Sequence, residues 1–277
     1  MRRTGRESSS DLRLKEGDDM FDVDKYLQRI GCGGETGVDL ATLRKLHKNH
    51  LMAIPYNGVT EDYRAGVHLV DIDEDATFET TIVGGQGGTC FQLNRLFFRL
   101  LRELGYDVTL MAARTAEGQD AFGLDVEHMF SRVALDGDEW LVDVGYPGPS
   151  FIEPLLVSDA VQTQYGCQYR LVESESEIAL QRRGAVTRWS VVYTFTMESR
   201  QWTDWKEMED VLRDILSQPR SNDGQEILCG RSFENGQAVL KGRRYLTVRD
   251  GREQARTITD DDEHRTLISG VLSGELG

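Results

Sequence analysis

The sequence predicts an α+β fold, and three observations carry that expectation. Apolar residues recur at helical spacing near residues 23–30, 40–52 and 93–104. Short β-branched, aromatic or alternating runs then follow one another from Tyr106 to Thr196. A helix, a hairpin and a last helix fill the remainder. Helices and strands are thus segregated along the chain instead of alternating as βαβ units. A length of 277 residues allows one large or two to three small domains with a substantial core.

Each element has its own signal. Residues 1–20 are polar and charged, with Ser8, Ser9 and Ser10, and read as a flexible tail. Val23, Tyr26, Leu27 and Ile30 share one helical face. Asp39 is a plausible N-cap for a second helix from Leu40 to Met52. His47 and His50 on that helix, with Lys45 and Lys48 nearby, read as a solvated face and not as a metal site; His68 reads as exposed. Pro55 ends the helix. Gly66 to Ala76 is a loop or short strand. A buried helix runs from the Cys90 region to Gly105, with Leu93, Leu96, Phe97, Leu100, Leu101 and Leu104 on one face. Tyr106–Arg114 is a strand, and Thr115–Val126 is a Gly-rich, acidic loop. Strands are expected at Tyr169–Glu173, Ile178–Gln181 and Trp189–Thr196, with an acidic turn at Glu173–Glu177. Trp205, Met208, Leu212 and Ile215 mark one face of a helix over Trp202–Leu216. A hairpin turns at Glu234-Asn235-Gly236, and Thr259 is expected to cap the last helix.

Composition narrows the function. Asp and Glu number 47 against 32 Lys and Arg, a net charge of -15, which argues against nonspecific nucleic-acid or anionic-membrane binding. The four cysteines, Cys32, Cys90, Cys167 and Cys229, show neither metal-ligand spacing nor disulfide density. No signal-peptide core and no bilayer-length apolar run is visible. A cytoplasmic location is the expectation, since a reducing compartment suits a reactive thiol.

The chemistry centres on Gly84-Gly85-Gln86-Gly87-Gly88-Thr89-Cys90-Phe91-Gln92-Leu93-Asn94. Its glycines let the backbone turn tightly and approach a substrate. Cys90 falls at the start of the buried helix, where unpaired N–H groups and the positive dipole end favour a thiolate. Two partners follow. His128 opens the strand-like segment Met129-Phe130-Ser131-Arg132-Val133, and Asp143 closes Trp140-Leu141-Val142. Asp136-Gly137 is a hairpin signal between them, so His128 and Asp143 fall at neighbouring ends of one hairpin. A cysteine, a histidine base and an orienting aspartate form a nucleophilic triad. Gly88, Thr89, Phe91, Phe130, Tyr146, Pro147 and Gly148 flank these three and are candidate substrate contacts.

Gly-Gly-Thr-Cys-Phe-Gln-Leu-Asn, then His-Met, then Val-Asp-Val-Gly-Tyr, resembles the arylamine N-acetyltransferase family in motif, order and spacing. The likeness runs from about Tyr26 to about Leu155 and continues faintly beyond. It implies a helical N-terminal bundle over 21–105 carrying the cysteine, a β-barrel-like domain over 106–200 carrying the histidine and aspartate, and an α/β lid over 201–277, around a cysteine-protease-like core. It also implies acyl transfer from a thioester to an aromatic amine through an acyl-cysteine. No bound cofactor or metal is expected; the co-substrate is an acyl thioester of CoA or of an acyl carrier protein.

The family has ordinary acetyl-CoA-dependent members and a branch that closes ansamycin macrolactams. This chain departs from the common pattern. Pro55-Tyr56-Asn57-Gly58 stands for Pro-Phe-Glu-Asn, and Gln86 stands for an arginine. The run Gly148-Pro149-Ser150-Phe151-Ile152-Glu153-Pro154-Leu155 also differs from the commoner members. These departures favour the macrolactam branch. The Glu and Arg of the family are expected to pair beneath the glycine loop, so a neutral Asn57–Gln86 side-chain pair is expected here. Macrolactam closure would need a wide, largely apolar cleft walled by 116–126, by 147–151 and by the C-terminal part, with Gly118, Gly123 and Gly148 leaving room. A cysteine hydrolase and a non-catalytic binding protein are the competing classes. Water in place of amine would define the first; the intact Cys90, His128 and Asp143 argue against the second.

Overall fold

The computed structural model describes residues 21–59, 68–115, 124–217 and 227–275. The expected tail over 1–20 and most of the expected 116–126 wall, including Gly118 and Gly123, lie outside them. Helices α1 (Val23–Arg29), α2 (Leu40–Ala53), α3 (Glu74–Phe78) and α4 (Cys90–Glu103) form the N-terminal part, with a two-residue strand β1 (Tyr56–Asn57) between α2 and α3. Asp22 and Asp39 accept the Lys25 and Thr42 amides at 3.0 and 2.8 Å, which fixes the starts of α1 and α2. One face of α4 is fully buried through Leu93, Leu96, Phe97, Leu100 and Leu101. It packs on Tyr26, Leu43, Leu46, Phe78 and Ile82. Burying such side chains contributes about 1.5–3 kcal/mol each, enough to fix α4 against the bundle.

Strands β2 (Asp107–Thr115), β3 (His128–Leu135), β4 (Asp138–Val142), β5 (Leu155–Leu156), β6 (Gln162–Gln164), β7 (Cys167–Glu173), β8 (Ile178–Arg183) and β9 (Ser190–Phe195) build one antiparallel sheet. Its order is β5-β4-β3-β2-β9-β8-β7-β6. The β3–β4 turn is Asp136-Gly137, both at positive φ (54° and 88°), as a tight hairpin requires. The sheet curls until its two edges nearly meet. The amide of Gln162 then stands in for a strand, accepting from the Leu156 N–H at 2.9 Å and donating to the Leu156 carbonyl at 2.8 Å. Gln164 does the same for Ile152 and Glu153. Side-chain amides thus satisfy backbone groups that an open edge would leave to solvent.

A 3₁₀ turn at Trp202–Trp205 leads into α5 (Lys206–Ser217). Strands β10 (Leu228–Phe233), β11 (Gly236–Lys241), β12 (Arg244–Arg249) and β13 (Arg252–Thr257) and helix α6 (Asp261–Ser273) complete the described chain. A second sheet has the order β1-β10-β11-β12-β13, so the strand after α2 pairs with the C-terminal hairpins. The α+β class therefore holds.

Four local expectations are corrected. Gly66–Ala76 is not simply loop or strand, because Asp73 caps α3 and a π-helical turn follows at Glu79–Val83. The last helix is capped by Asp260 and not by Thr259; the Asp260 carboxylate accepts the Glu263 amide at 2.8 Å. His47 and His50 are not on a solvated face, since both are fully buried. They share the inward stripe of α2 with Leu43 and Leu46, while the lysines point away. Finally, the Asn57–Gln86 pair is not side chain to side chain. Asn57 Nδ2 donates to the Gln86 backbone carbonyl at 2.7 Å and Asn57 Oδ1 accepts from the Val59 amide at 3.0 Å, while the Gln86 side chain is exposed.

Candidate active site

Cys90 is the first residue of α4, behind the glycine loop, and is 8% exposed. The loop is held from two sides. Gln92 Oε1 accepts the Thr89 amide at 2.9 Å, and Gly88 O accepts the Asn57 amide at 2.9 Å. Gly87 has φ +72°, and a Cβ there would stand 2.1 Å from the Pro55 carbonyl, so no other residue fits.

His128 begins β3 and Asp143 follows β4, so the hairpin delivers both side chains to one end of the sheet, beside the start of α4. His128 Nε2 donates to Asp143 Oδ2 at 2.7 Å, and both residues are 2% exposed. The other ring nitrogen, Nδ1, is thereby left for Cys90. Burial opposes protonation of His128, but the Asp143 carboxylate and the Cys90 sulfur outweigh it and push His128 up to about 10. Burial likewise works against the charge of Asp143, yet His128, Asn94 and the Gly145 amide hold its carboxyl below the usual range.

Several residues without an expected role fix Asp143. Asn94, one turn after Cys90, donates to Asp143 Oδ1 at 3.0 Å and to the Met129 carbonyl at 2.6 Å, and accepts the Val144 amide at 2.9 Å. Its spacing of four from Cys90 places it on the same helix face, a signal the sequence carries. His47 Nε2 accepts the Asp143 amide at 3.0 Å, while its Nδ1–H donates to the Ile152 carbonyl at 2.8 Å. Those partners hold His47 as the neutral tautomer, and burial pushes its pKa down. The Leu43, Leu46, His47, His50 stripe was the sequence signal for it. Gly145 lets this turn sit on α4, because a Cβ there would lie 2.8 Å from Cys90 Cα.

A cavity of about 260 Å³ opens at Cys90 and His128. Tyr56, Leu69, Phe91, Pro147, Met208 and Leu212 give it a mostly apolar wall; Thr89, Thr115 and Glu127 add polar groups. Of the expected contacts, Thr89, Phe91 and Pro147 line it. Phe130 is fully buried behind the site and stacks on His128 at 6.4 Å and 5°. Tyr146 meets His128 edge-on at 5.4 Å and donates its hydroxyl to the Val192 carbonyl. Gly88 belongs to the loop beneath Cys90, and Gly148 lines a separate, narrow cavity with Gly230 and Gln237. Met208 and Leu212, on α5, bring the C-terminal part to the site. Their helix is pinned by Glu209, whose Oε2 accepts the Leu69 and Val70 amides at 2.9 and 3.1 Å.

The family model described as N-acetyltransferase matches residues 39–273. The chain is 66% identical over 258 residues to the Proansamycin X synthase of Amycolatopsis mediterranei (strain S699), covering 93% of this chain and 99% of that one. It is 30% identical over 184 residues to the arylamine N-acetyltransferase of Escherichia coli (strain K12), covering 66% and 64%. The fold is similar to that of the Mycobacterium marinum arylamine N-acetyltransferase in complex with CoA, with a TM-score of 0.76 and 25% identity over 92% of this chain and 95% of that one. Matching family model, fold and relatives together place this chain in the N-acetyltransferase family, among the acyltransferases.

Proposed function

We propose that the chain is an amide synthase that closes an ansamycin-type macrolactam, joining an aromatic amine to the thioester of the same molecule. The observation that carries this reading is the 66% identity to Proansamycin X synthase over 99% of that protein. The mostly apolar cavity beside Cys90 supports it. At about 260 Å³ among the described residues, that cavity lies just below the roughly 300–1,000 Å³ usual for ligand pockets and has room for the reacting ends. The rest of the chain would leave past Pro147 and α5. The acyl donor is a thioester of CoA or of an acyl carrier protein.

Cys90, His128 and Asp143 act as nucleophile, base and orienting acid in this reading. The Cys90 sulfur attacks the thioester carbonyl, forming a C–S bond. Backbone N–H groups at the start of α4 would receive the oxyanion. The donor C–S bond breaks, and the donor thiol leaves with a proton from the His128 imidazolium. The amine nitrogen then attacks the acyl-cysteine and passes a proton to His128. The Cys90 C–S bond breaks and its electron pair returns to sulfur. Thioester plus amine give amide plus thiol. Acetyl transfer from acetyl-CoA to a free arylamine is the second reading, favoured by the likeness to the CoA-bound M. marinum enzyme.

Two measurements test the proposal. Incubation with an acyl thioester should give a mass adduct on Cys90, lost in Cys90→Ser and retained when Cys32, Cys167 or Cys229 is changed to Ser; an adduct on another cysteine would remove the nucleophile assignment. A long ω-(3-aminophenyl) acyl thioester should cyclise faster than acetyl-CoA acetylates a simple arylamine. Efficient acetylation without cyclisation would leave the acetyltransferase reading in its place.

A further inference from the structure

Among the described residues lining the Cys90 cavity, Glu127 is the one carboxylate, and no lysine or arginine lines it. Glu127 directly precedes His128 and is held at the end of a turn, its amide donating to the Leu124 carbonyl at 3.1 Å. Its side chain is fixed as well. Both Thr115 donors, the amide at 3.0 Å and Oγ1 at 2.8 Å, go to the same oxygen, Oε2. The second oxygen, Oε1, has no hydrogen-bond partner among the described residues. Several other partly or fully buried carboxylates among the described residues are paired with cations: Glu74 with Arg95, Glu177 with Arg114, Glu209 with Arg213. Glu127 has no such ion pair among the described residues. An oriented, unneutralised carboxylate in a mostly apolar cavity offers one strong acceptor to whatever enters.

We infer that Glu127 selects the amine substrate: Oε1 accepts a hydrogen from the arylamine or from a hydroxyl on its ring, and the same charge turns away amines that carry a carboxylate. The inference rests on the acyl-cysteine reading above and adds the chemical class of the nucleophile, a neutral aromatic amine bearing hydrogen donors. Accepting such a hydrogen fixes the ring while His128 takes the amine proton. A ring carboxylate at the same place would bring like charges together beside a mostly apolar wall.

The test uses the full chain, the N-acetylcysteamine thioester of acetate as acyl donor, and 3-aminophenol and 3-aminobenzoate as amines. The donor-thiol burst reports acylation of Cys90, and the amine-dependent rate reports the second step. In the unsubstituted chain, kcat/KM for 3-aminophenol should exceed that for 3-aminobenzoate by about tenfold or more, the range of one charged hydrogen bond. Glu127→Gln, which keeps the shape and can still accept from Thr115, should collapse that ratio, mainly through KM. Glu127→Asp should restore part of it. A stoichiometric burst in the Gln chain certifies that it folds and acylates. An unchanged ratio in that chain, with the burst intact, would overturn the role of Glu127. No burst in the unsubstituted chain, with this donor or with the long acyl thioester above, would overturn the acyl-cysteine reading, and this inference with it.

Discussion

At the scale of single residues, the two buried histidines of α2 make a testable acid limb. Burial, and then the neighbouring His47, push His50 down from 6.5 to about 3, and His47 is lowered too. The unfolded chain therefore binds more protons than the folded one between pH about 3 and 6.5. Stability should fall as pH drops through that window, and urea midpoints at pH 7 and pH 5 should differ less in His50→Leu than in the parent. His128 has the opposite sign: raised to about 10, it stabilises the fold below 6.5 and that contribution is lost as pH rises toward 10. Asn57 makes a second residue-scale prediction. Removing its amide strands the Gln86 carbonyl and the Val59 amide, so Asn57→Ala should cost about 1–3 kcal/mol. Gln86→Ala should stay within about 0.5 kcal/mol, because only its backbone is used. Equal losses for the two would restore the side-chain pair expected from the sequence. That expectation identified the right two residues. It missed that a backbone carbonyl answers an Asn side chain as well as another amide does, and residue types do not encode that choice.

At the scale of elements, α5 is tied to the site by one carboxylate. Burial would raise the Glu209 pKa, yet the Val70 and Leu69 amides together with Lys206 and Arg213 hold it at about 2. Arg95 completes the joint, donating to the Leu69 and Val70 carbonyls while stacking on Trp202 at 4.3 Å. Glu209→Ala leaves one buried and one part-buried amide unpaired and should cost about 2–4 kcal/mol, with faster hydrogen exchange across 206–217. Lys206→Ala, at the exposed end of the same cluster, should change little. Unaltered exchange in Glu209→Ala would mean that packing alone holds α5. The apolar face of α5 was legible in the sequence, because Met208 and Leu212 follow helical spacing. Its pin was not. A lone glutamate on an acidic helix carries no mark that it faces amides 140 positions away.

At the scale of the whole molecule, local pattern identified what local physics controls. The start of α4 at Cys90, the Asp136-Gly137 hairpin and the alternating strands all follow from turn chemistry and periodicity. The arrangement that depends on distant pairing stayed hidden. β1 is only two residues long, too short for any periodic signal, yet Tyr56 pairs with Gly230 and Asn57 with Cys229. The glutamines that close the large sheet look like any surface glutamine. The β1–β10 pair also joins an early part of the chain to a late one. During synthesis, Cys90, His128 and Asp143 all leave the ribosome well before Cys229. Until then Asn57, which holds the Gln86 carbonyl and binds Gly88 O through its own amide, lacks its partner strand. A nascent chain stalled near residue 200 should thus carry Cys90, His128 and Asp143 but alkylate Cys90 with iodoacetamide more slowly than the released protein. Equal rates would show that the loop sets without β10. Slower alkylation of the stalled chain would instead mean that the last strands made act as a chaperone in cis, withholding the Cys90 thiol from the cell until the molecule is finished.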